Sequence, residues 1–450
     1  MFQSRNPYTG QNLANFATHN PNEINELLQK NQQGFNTWRQ LSFAQRGRIL
    51  AGVKTELLAK KADFAHLITV EMGKPITQSI AEIEKCATVL DFYINNAADI
   101  LKTKPLEHND LRAKILYQPL GQILLIMPWN FPFWQVFRFA AAALMAGNTV
   151  VLKHAPNTQL CAEAIEKLFA AAFEKTIFVN IRVENQSVEQ LITSDFVKGV
   201  SITGSNRAGA AVAQNAGKVL KKSVLELGGN DAALIFADAD INRAVETVLW
   251  SRLQNSGQTC IATKRILVQK DIFNDFLSKS IDFIKAQTVG NPLDLNTKIS
   301  CLARRDLAET ANNQLTISQK MGADVVYQGS YLKHHNFFPP TLLTNVNFNS
   351  PLFNEEIFAP MAGIYTFETE QEALAIANNS IYGLGASVWT ADFEKGEYVA
   401  ERLEVGAVAI NQLLKSDARL PFGGTKQSGF GRELGEDGIK EFVNIKTVSF

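Results

Sequence analysis

Long apolar runs are missing from this chain. Stretches such as "ILLIM" at 123–127 fall far short of the roughly 20 residues that span a bilayer, so no membrane partner is expected. The opening "MFQSRNPYTG" has no basic region followed by an apolar core, so no secretory signal is read there. An excess of either charge is also missing. Lys+Arg and Asp+Glu number 44 each, which gives no footing for nucleic acid or an anionic surface and favours self-association. Cysteine is scarce. Cys86, Cys161, Cys260 and Cys301 lie far apart without metal-ligand spacing, so no metal is expected. They read as reduced thiols of a cytoplasmic protein. The six histidines, His19, His66, His108, His154, His334 and His335, stand in no motif. There is no internal repeat and no low-complexity linker.

What is present is an ordinary globular composition, 46 % hydrophobic and 20 % charged over 450 residues, long enough for two or three domains. The first hundred residues are helical in pattern. Ile24, Leu27 and Leu28 share one face, and Leu50, Val53, Leu57 and Leu58 another; Gly73 and Pro75 are expected to stop that second helix. From residue 112 the pattern turns to strands, two of them around Pro119–Gly121. A helix through "QVFRFAAAALMAG" follows, closed by Gly147. Strand and helix then alternate through "NTVVLK", "TQLCAEAIEKLFAAAF", "VKGVSITG", "NRAGAAVAQNAGK" and "KSVLEL". A second alternating block runs from "DAALIF" to "GAVAIN". The reading is an α/β protein with two doubly wound parallel-sheet domains and a cleft between them. The closing "KEFVNIKTVSF" reads as a strand that pairs with another element or another subunit.

Five places carry candidate chemistry. After "SITG", Gly204 and Ser205 open a helix whose free N–H groups suit a pyrophosphate, although a plain strand-to-helix turn has the same pattern. Lys153 ends the strand "VVLK", where it can reach ligand hydroxyls or phosphates; a snorkelling surface lysine also fits. In "MPWNFPFW", two prolines fix the backbone on either side of Asn130. Its amide can serve as an oxyanion donor or cap its own loop. Glu226 ends a strand before Gly228-Gly229 and is either a general base or a solvated strand-end carboxylate. Cys260 follows "NSGQT", as if presented on a tight turn. It is a nucleophile or a small buried hydrophobe.

The order of "PWNFP", "GNTVVLKHAPN", "ITGSNRAG", "LELGGND", "NSGQTC", "NEEIFAP", "PFGGTKQSGFGRELG" and "EFVNIKTVSF" resembles the NAD(P)-dependent aldehyde dehydrogenase superfamily nearly end to end. Glu226 lies 34 residues before Cys260, as in that family. The short chain, "KHAP" and "LLKSDARLPFGG" resemble its bacterial succinate-semialdehyde dehydrogenase branch. The resemblance implies that Cys260 attacks the aldehyde, that Asn130 and the Cys260 N–H hold the oxyanion, and that Glu226 activates water against the thioester. It puts Lys153 on the adenosine ribose and Gly204-Ser205 beside the pyrophosphate of NAD or NADP. Glu356 falls on the nicotinamide ribose, with Phe358, Trp129 and Leu227 lining the same site. It also implies a cofactor domain (1–100 and 120–228), a catalytic domain (229–437) and an oligomerisation arm (101–119 and 438–450) that makes a homodimer or homotetramer.

The departures bear on specificity. Pro156 stands where many NAD-preferring members carry a carboxylate, so nothing there repels a 2′-phosphate and use of both cofactors is expected. Ala359 replaces the usual glycine of "NEEIFGP". Ala262 stands where some relatives have a second cysteine, which removes that disulfide partner. For a substrate carboxylate, Arg138 matches one family arginine, Gln254 takes the place of the other, and Asp417 sits at the position of a family serine, with Ser416 before it. Asp417 would repel a carboxylate unless Arg419 or Lys415 compensates. The implied reaction is oxidation of succinate semialdehyde or a similar short aldehyde. Oxidation of another short aldehyde, acylation of CoA, and a silent nucleotide-binding relative are the alternatives. The presence of Glu226 favours hydrolysis over CoA.

Overall fold

The computed structural model describes residues 1–108, 111–330, 332 and 336–450; His334 and His335 lie outside them. A two-stranded antiparallel ribbon, Phe2–Arg5 with Asn12–Phe16, precedes a helical layer. Asn20 starts the helix Pro21–Trp38 by accepting from the N–H groups of Asn22 and Glu23, while Glu23 reaches back to the Asn20 N–H. Ser42 and Gln45 repeat the device for Phe43–Ala59. Such reciprocal caps satisfy donors that a helix start leaves open. Leu50, Val53 and Leu57 are buried, but Leu58 is 39 % exposed and lies off their face. The second helix also ends earlier than its pattern suggests. The chain breaks at Lys60, and Lys61–Met72 is a separate helix ended by Gly73 in the left-handed region, φ +76°. Apolar spacing carried through the break because both helices bury a face in the same core.

Among the described residues, two large sheets are mostly parallel. One orders its strands Gly429–Phe430, Lys222–Glu226, Val197–Thr203, Gln122–Met127, Thr149–His154 and Phe178–Asn180. The other orders Asp324–Gln328, Thr341–Thr344, Met361–Phe367, Arg265–Gln269, Ala232–Ile235, Gly385–Trp389 and Ala407–Ile410. Helices cover the central strands, which are buried almost throughout, as expected of parallel strands. A stack of rings glues the first sheet to the helical layer. Phe137 lies 5.5 Å from Phe169, and Phe169 lies 4.7 Å from Phe178. The fold class read from the sequence is the one observed.

The chain crosses back once in a way the sequence did not reveal. Gly429–Phe430 pairs antiparallel with the end of Lys222–Glu226, Gly429 opposite Glu226. The segment "GFGRELG", expected in the unit 229–437, is therefore seated on the first sheet. The tail strand Val443–Ser449 runs antiparallel to Leu111–Pro119, which pairs on its other side with Lys104–His108. The tail is the edge of this small sheet, with Asn444 to Thr447 exposed.

The helix Pro21–Trp38 presses its backbone on the loop before Phe178 at Gly34, where an added Cβ would lie 2.0 Å from the Thr176 carbonyl oxygen. Gly34→Ala is expected to cost about 1–3 kcal/mol by overpacking and to lower the calorimetric melting midpoint by several degrees; an unchanged midpoint would contradict this packing.

Candidate active site

The thiol sits on a strained turn. After the helix Ile241–Leu253, Asn255, Ser256 and Gly257 all have positive φ, at 54°, 53° and 80°. Only glycine fits at 257, since a Cβ would lie 2.3 Å from the carbonyl carbon of Ala359. Hydrogen bonds hold the other two residues in a region that L side chains avoid. The Asn255 N–H donates to Gln78 Oε1 at 2.7 Å, and Asn255 Nδ2 donates to the carbonyl of Asn130 at 2.8 Å. Ser256 Oγ donates to the Ser300 carbonyl at 3.1 Å. The Arg252 guanidinium donates to the Gly257 carbonyl. The turn releases Cys260 half-buried, whereas Cys86, Cys161 and Cys301 are fully buried. Cys260 is therefore not a core hydrophobe.

Two cavities meet at Cys260, and Gln135 is also common to both. One, about 240 Å³, gathers Trp129, Asn130, Gly204, Ser205, Leu227, Glu356 and Phe358. Ser205 caps the helix Asn206–Lys218, accepting from the Ala208 N–H at 3.3 Å. Glu356 accepts from the Gly229 N–H at 3.0 Å. Gly228 leaves a cradle that a Cβ would fill, 2.8 Å from Glu356 Oε2 and 3.0 Å from Asn206 Oδ1. Trp129 and Phe358 meet edge to face at 5.8 Å. A helix start, an open backbone cradle, a carboxylate and an aromatic pair suit the nicotinamide riboside end of a dinucleotide and its phosphate. Lys153 and Pro156 are not on this wall. Lys153 is 5 % exposed and donates to Asn185 Oδ1 at 2.9 Å, so it is not a snorkelling lysine. Pro156 is exposed.

The other cavity, about 270 Å³, is lined by Phe131, Trp134, Arg138, Gln254, Lys85, Ser416 and others. Arg138 is 2 % exposed; its Nε pairs with Glu433, and Nη2 donates to Thr203 Oγ1 at 3.1 Å. Asp417 is not on this wall. It is held bidentately by Arg419 at 2.8 Å on both arms, which pulls its carboxyl down to about 2. Of the two cations that the sequence offered against its charge, Arg419 is the one paired with it.

Asn130 is 3 % exposed, and its Nδ2 donates to the Gln258 carbonyl at 3.1 Å. The amide thus reaches a distant loop rather than capping its own. Glu226 is 2 % exposed and not solvated, but neither cavity wall includes it. It lies toward Glu433, Arg138 and Arg432. Burial first, then the Glu433 charge, pushes its carboxyl well above the usual range. Burial likewise pushes the Cys260 thiol up to about 12, against the opposing charges of Arg138 and Lys264. Lys264 donates to the carbonyls of Thr259, at 3.1 Å, and Cys260. Among the described residues no group of three or more His, Cys, Asp or Glu is arranged to hold a metal, and no helix is long and apolar enough to cross a membrane.

The sequence profile of the Aldehyde dehydrogenase family matches residues 1–448. This chain belongs to the aldehyde dehydrogenase family. It is 43 % identical over 445 residues to a probable NADP(+)-dependent succinate-semialdehyde dehydrogenase of Synechocystis sp. (strain ATCC 27184 / PCC 6803 / Kazusa), covering 98 % of each chain. It is 40 % identical over 447 residues to the NAD(P)+ succinate semialdehyde dehydrogenase Sad of Escherichia coli (strain K12), covering 99 % of this chain and 97 % of that one. Among solved structures, the succinic semialdehyde dehydrogenase of Streptococcus pyogenes in complex with NADP+ superposes with a TM-score of 0.97 at 34 % identity. The match covers 100 % of this chain and 99 % of the other.

Several residues at this aldehyde dehydrogenase site gave no signal in the sequence. Gln258 ties the thiol turn to Ala303, whose N–H it accepts at 2.9 Å. Glu82 accepts from the N–H groups of Phe133 and Trp134 at 2.9 and 3.0 Å, and pairs with the buried Lys74. Lys85 and Glu433 complete the set. A helical pattern over the first hundred residues does not show which cavity a given face meets.

With its thiol pushed up to about 12, Cys260 is neutral across the physiological range and ionises only as pH rises. In the cofactor-free protein, alkylation of Cys260 by iodoacetamide is expected to climb about tenfold per pH unit from 7 to 10. A plateau near pH 8, read by peptide mass spectrometry, would contradict this environment.

Proposed function

We propose that this aldehyde dehydrogenase oxidises succinate semialdehyde, or a short aldehyde with a distal carboxylate, to the acid with NAD(P)+. The observation that carries the reading is the meeting of two cavities at one half-buried thiol, one cavity suited to a nicotinamide ribose and the other walled by aromatic rings and cations. The Synechocystis and E. coli relatives carry the name of that semialdehyde, which supports the choice of substrate.

In this reading Cys260, once deprotonated, adds to the aldehyde carbon, forming the C–S bond of a thiohemiacetal. The oxyanion lies against Asn130 Nδ2, which keeps one N–H free after bonding Gln258, and against the Cys260 N–H. Trp129, Gly204, Ser205, Leu227, Glu356 and Phe358 would hold the nicotinamide end, and when bound the nicotinamide accepts the hydride. A thioester then remains on Cys260. Glu226 takes a proton from the water that attacks it, which requires the carboxylate to turn from the Arg138–Glu433 side toward the thiol. Burial and the neighbouring Glu433 charge raise its affinity for protons. Lys153 would face the adenosine ribose, and Pro156 puts no acid against a 2′-phosphate, which supports use of both cofactors, as the E. coli relative's name states for that protein. We further infer that residues 1–100 and 120–228 form the cofactor domain, joined by the return segment at 429–430, and that 229–437 otherwise form the catalytic domain. Residues 101–119 and 438–450 would form an arm whose exposed tail strand joins subunits into a dimer or tetramer. The expected compartment is the cytoplasm.

Reduced-nicotinamide formation with succinate semialdehyde, with butanal as comparator and NAD and NADP in parallel, tests the assignment. The semialdehyde is expected to have the higher kcat/KM, with turnover on both cofactors. Cys260→Ala should abolish turnover. Glu226→Gln should lower the steady-state rate about 10²–10³-fold while retaining a burst of one equivalent of reduced nicotinamide. Equal rates on the two aldehydes would remove the carboxylate, and a Glu226→Gln enzyme without a burst would remove its role in hydrolysis.

A further inference from the structure

The thiol turn closes on a buried cation. Lys264 is fully buried at the entry to the strand Arg265–Gln269. Its backbone N–H donates to the Asp231 carbonyl at 3.0 Å. Its side chain folds back to the turn, where Nζ donates to the Thr259 carbonyl at 3.1 Å and to the Cys260 carbonyl. The backbone of Gly229 covers that second carbonyl so closely that a Cβ would lie 2.7 Å from its oxygen. Among the described residues no carboxylate lies within ion-pair distance of the ammonium. The two acids that favour it bond elsewhere. Glu356 accepts from the Gly229 N–H at 3.0 Å, and Asp231 Oδ1 accepts from the Gly385 N–H at 3.1 Å. Arg252 opposes it. A buried charge without a paired counter-charge is costly, and neutral donors satisfy two carbonyls at less cost. Fold stability therefore does not account for a lysine here.

The Thr259 carbonyl is the informative partner. It belongs to the same peptide unit as the Cys260 N–H. It already accepts from the Ala262 N–H at 3.2 Å, so the ammonium is its second donor. Hydrogen bonds in a chain polarise one another, and a charged donor is about twice as strong as a neutral one. Donation to the C=O draws electron density from the amide nitrogen, which makes the N–H at the other end of the unit a stronger donor. When the thiolate forms the C–S bond, an electron pair of the aldehyde carbonyl moves onto oxygen. The mechanism above rests that oxyanion on this N–H.

We propose that Lys264 is a positioning residue that acts through the Thr259–Cys260 peptide, strengthening the Cys260 N–H as an oxyanion donor and setting positive charge beside the nucleophile. The oxyanion half rests on the mechanism given above; the charge half stands without it. The electrostatics of the thiol agree. Arg138 and Lys264 ease its ionisation against burial, while Glu356 and Asp231 oppose it. Arg138 is already paired with Glu433, so Lys264 is the unpaired cation of the two.

The test compares Lys264→Met, Lys264→Gln and Lys264→Arg, with melting midpoints as the check of folding. One readout is alkylation of Cys260 by iodoacetamide at pH 9 in the cofactor-free protein, followed by peptide mass spectrometry. Met and Gln variants are expected to react about tenfold more slowly, the effect of moving the thiol up by one pH unit. The other is the rate of the reduced-nicotinamide burst with succinate semialdehyde and with butanal. It should fall about 10–100-fold in both variants, less than for outright loss of an oxyanion donor. The factor should be the same for the two aldehydes and the KM values nearly unchanged, since no substrate contact is lost. Lys264→Arg keeps the charge and should restore most of both rates. Glutamine keeps an N–H donor without the charge, so a Lys264→Gln enzyme as fast as the wild type overturns the proposal and leaves a structural peg. So does unchanged alkylation in Lys264→Met, or a Lys264→Arg enzyme as slow as Lys264→Met. Slower alkylation with an unchanged burst overturns the oxyanion half, and with it the place given to the Cys260 N–H above. Should Lys264→Met fail to fold, Lys264→Gln carries both readouts.

Discussion

The left-handed run at Asn255, Ser256 and Gly257 is the constraint on which the site depends. Two of its residues carry side chains, and each such backbone costs of order 1–3 kcal/mol unless the surroundings impose it. The surroundings here come from every part of the chain. Gln78 belongs to the long helix Ile76–Ile100, Asn130 to the proline-flanked loop, and Ser300 to the second α/β block. Ala359 closes over Gly257 so tightly that no side chain fits. The thiol is thus positioned by both halves of the molecule at once, and neither half alone contains a complete site.

Buried charge extends the same logic outward. Replacing a buried ion pair by packed apolar groups is often neutral or stabilising, so Lys74–Glu82 and Arg138–Glu433 are poorly explained as stability devices. Each does hold a piece of the site. One Glu82 oxygen meets Lys74 while the other accepts two N–H groups at the start of the helix Trp134–Met145. That fixes where the "PWNFPFW" loop ends and aims Asn130. Lys74 also lies 3.6 Å from the centre of the Phe131 ring, so the same ammonium sets one aromatic wall of the substrate cavity. Glu433 arrives on the segment that crosses back to the first sheet. Through Arg138 and Ser201 it anchors the ground against which Glu226 is buried.

Much of this was legible in the sequence because it is local. Alternating strand and helix patterns, glycine after a helix and prolines around Asn130 all act within a few residues, and the fold class followed from them. The thiol turn was legible as a tight turn because small and polar residues precede Cys260. What was not legible is long-range. The break at Lys60 hides inside continuous apolar spacing, since two helices can share one core. The return of Gly429–Phe430 to the first sheet joins residues some 200 positions apart, and no local period records such a pairing. Asp417 looked like an obstacle in the cavity until its bond to Arg419, two residues on, turned it aside. Lys85 was invisible for the opposite reason. On a helical wheel it is an ordinary polar residue, and only packing shows which cavity it faces.

Burial suppresses the ionisation of Cys260. Oxidation and alkylation both proceed through the thiolate. A thiol held near 12 is ionised in only about one molecule in 10⁵ at neutral pH. A neighbouring cysteine at 262 would offer reversible capture as a disulfide, but that position is a fully buried alanine. The raised proton affinity of the thiol sets a condition on its use as a nucleophile. In the mechanism proposed above the proton must leave Cys260 before it can add to an aldehyde. The groups that bear on that ionisation are already in place: Arg138 and Lys264 favour the thiolate, and Glu356 and Asp231 oppose it. Glu356 is the one of the four on the wall of the cavity that holds Trp129 and Phe358. A hydroxyl or positive group placed against Glu356 offsets its charge and lowers the cost of the thiolate.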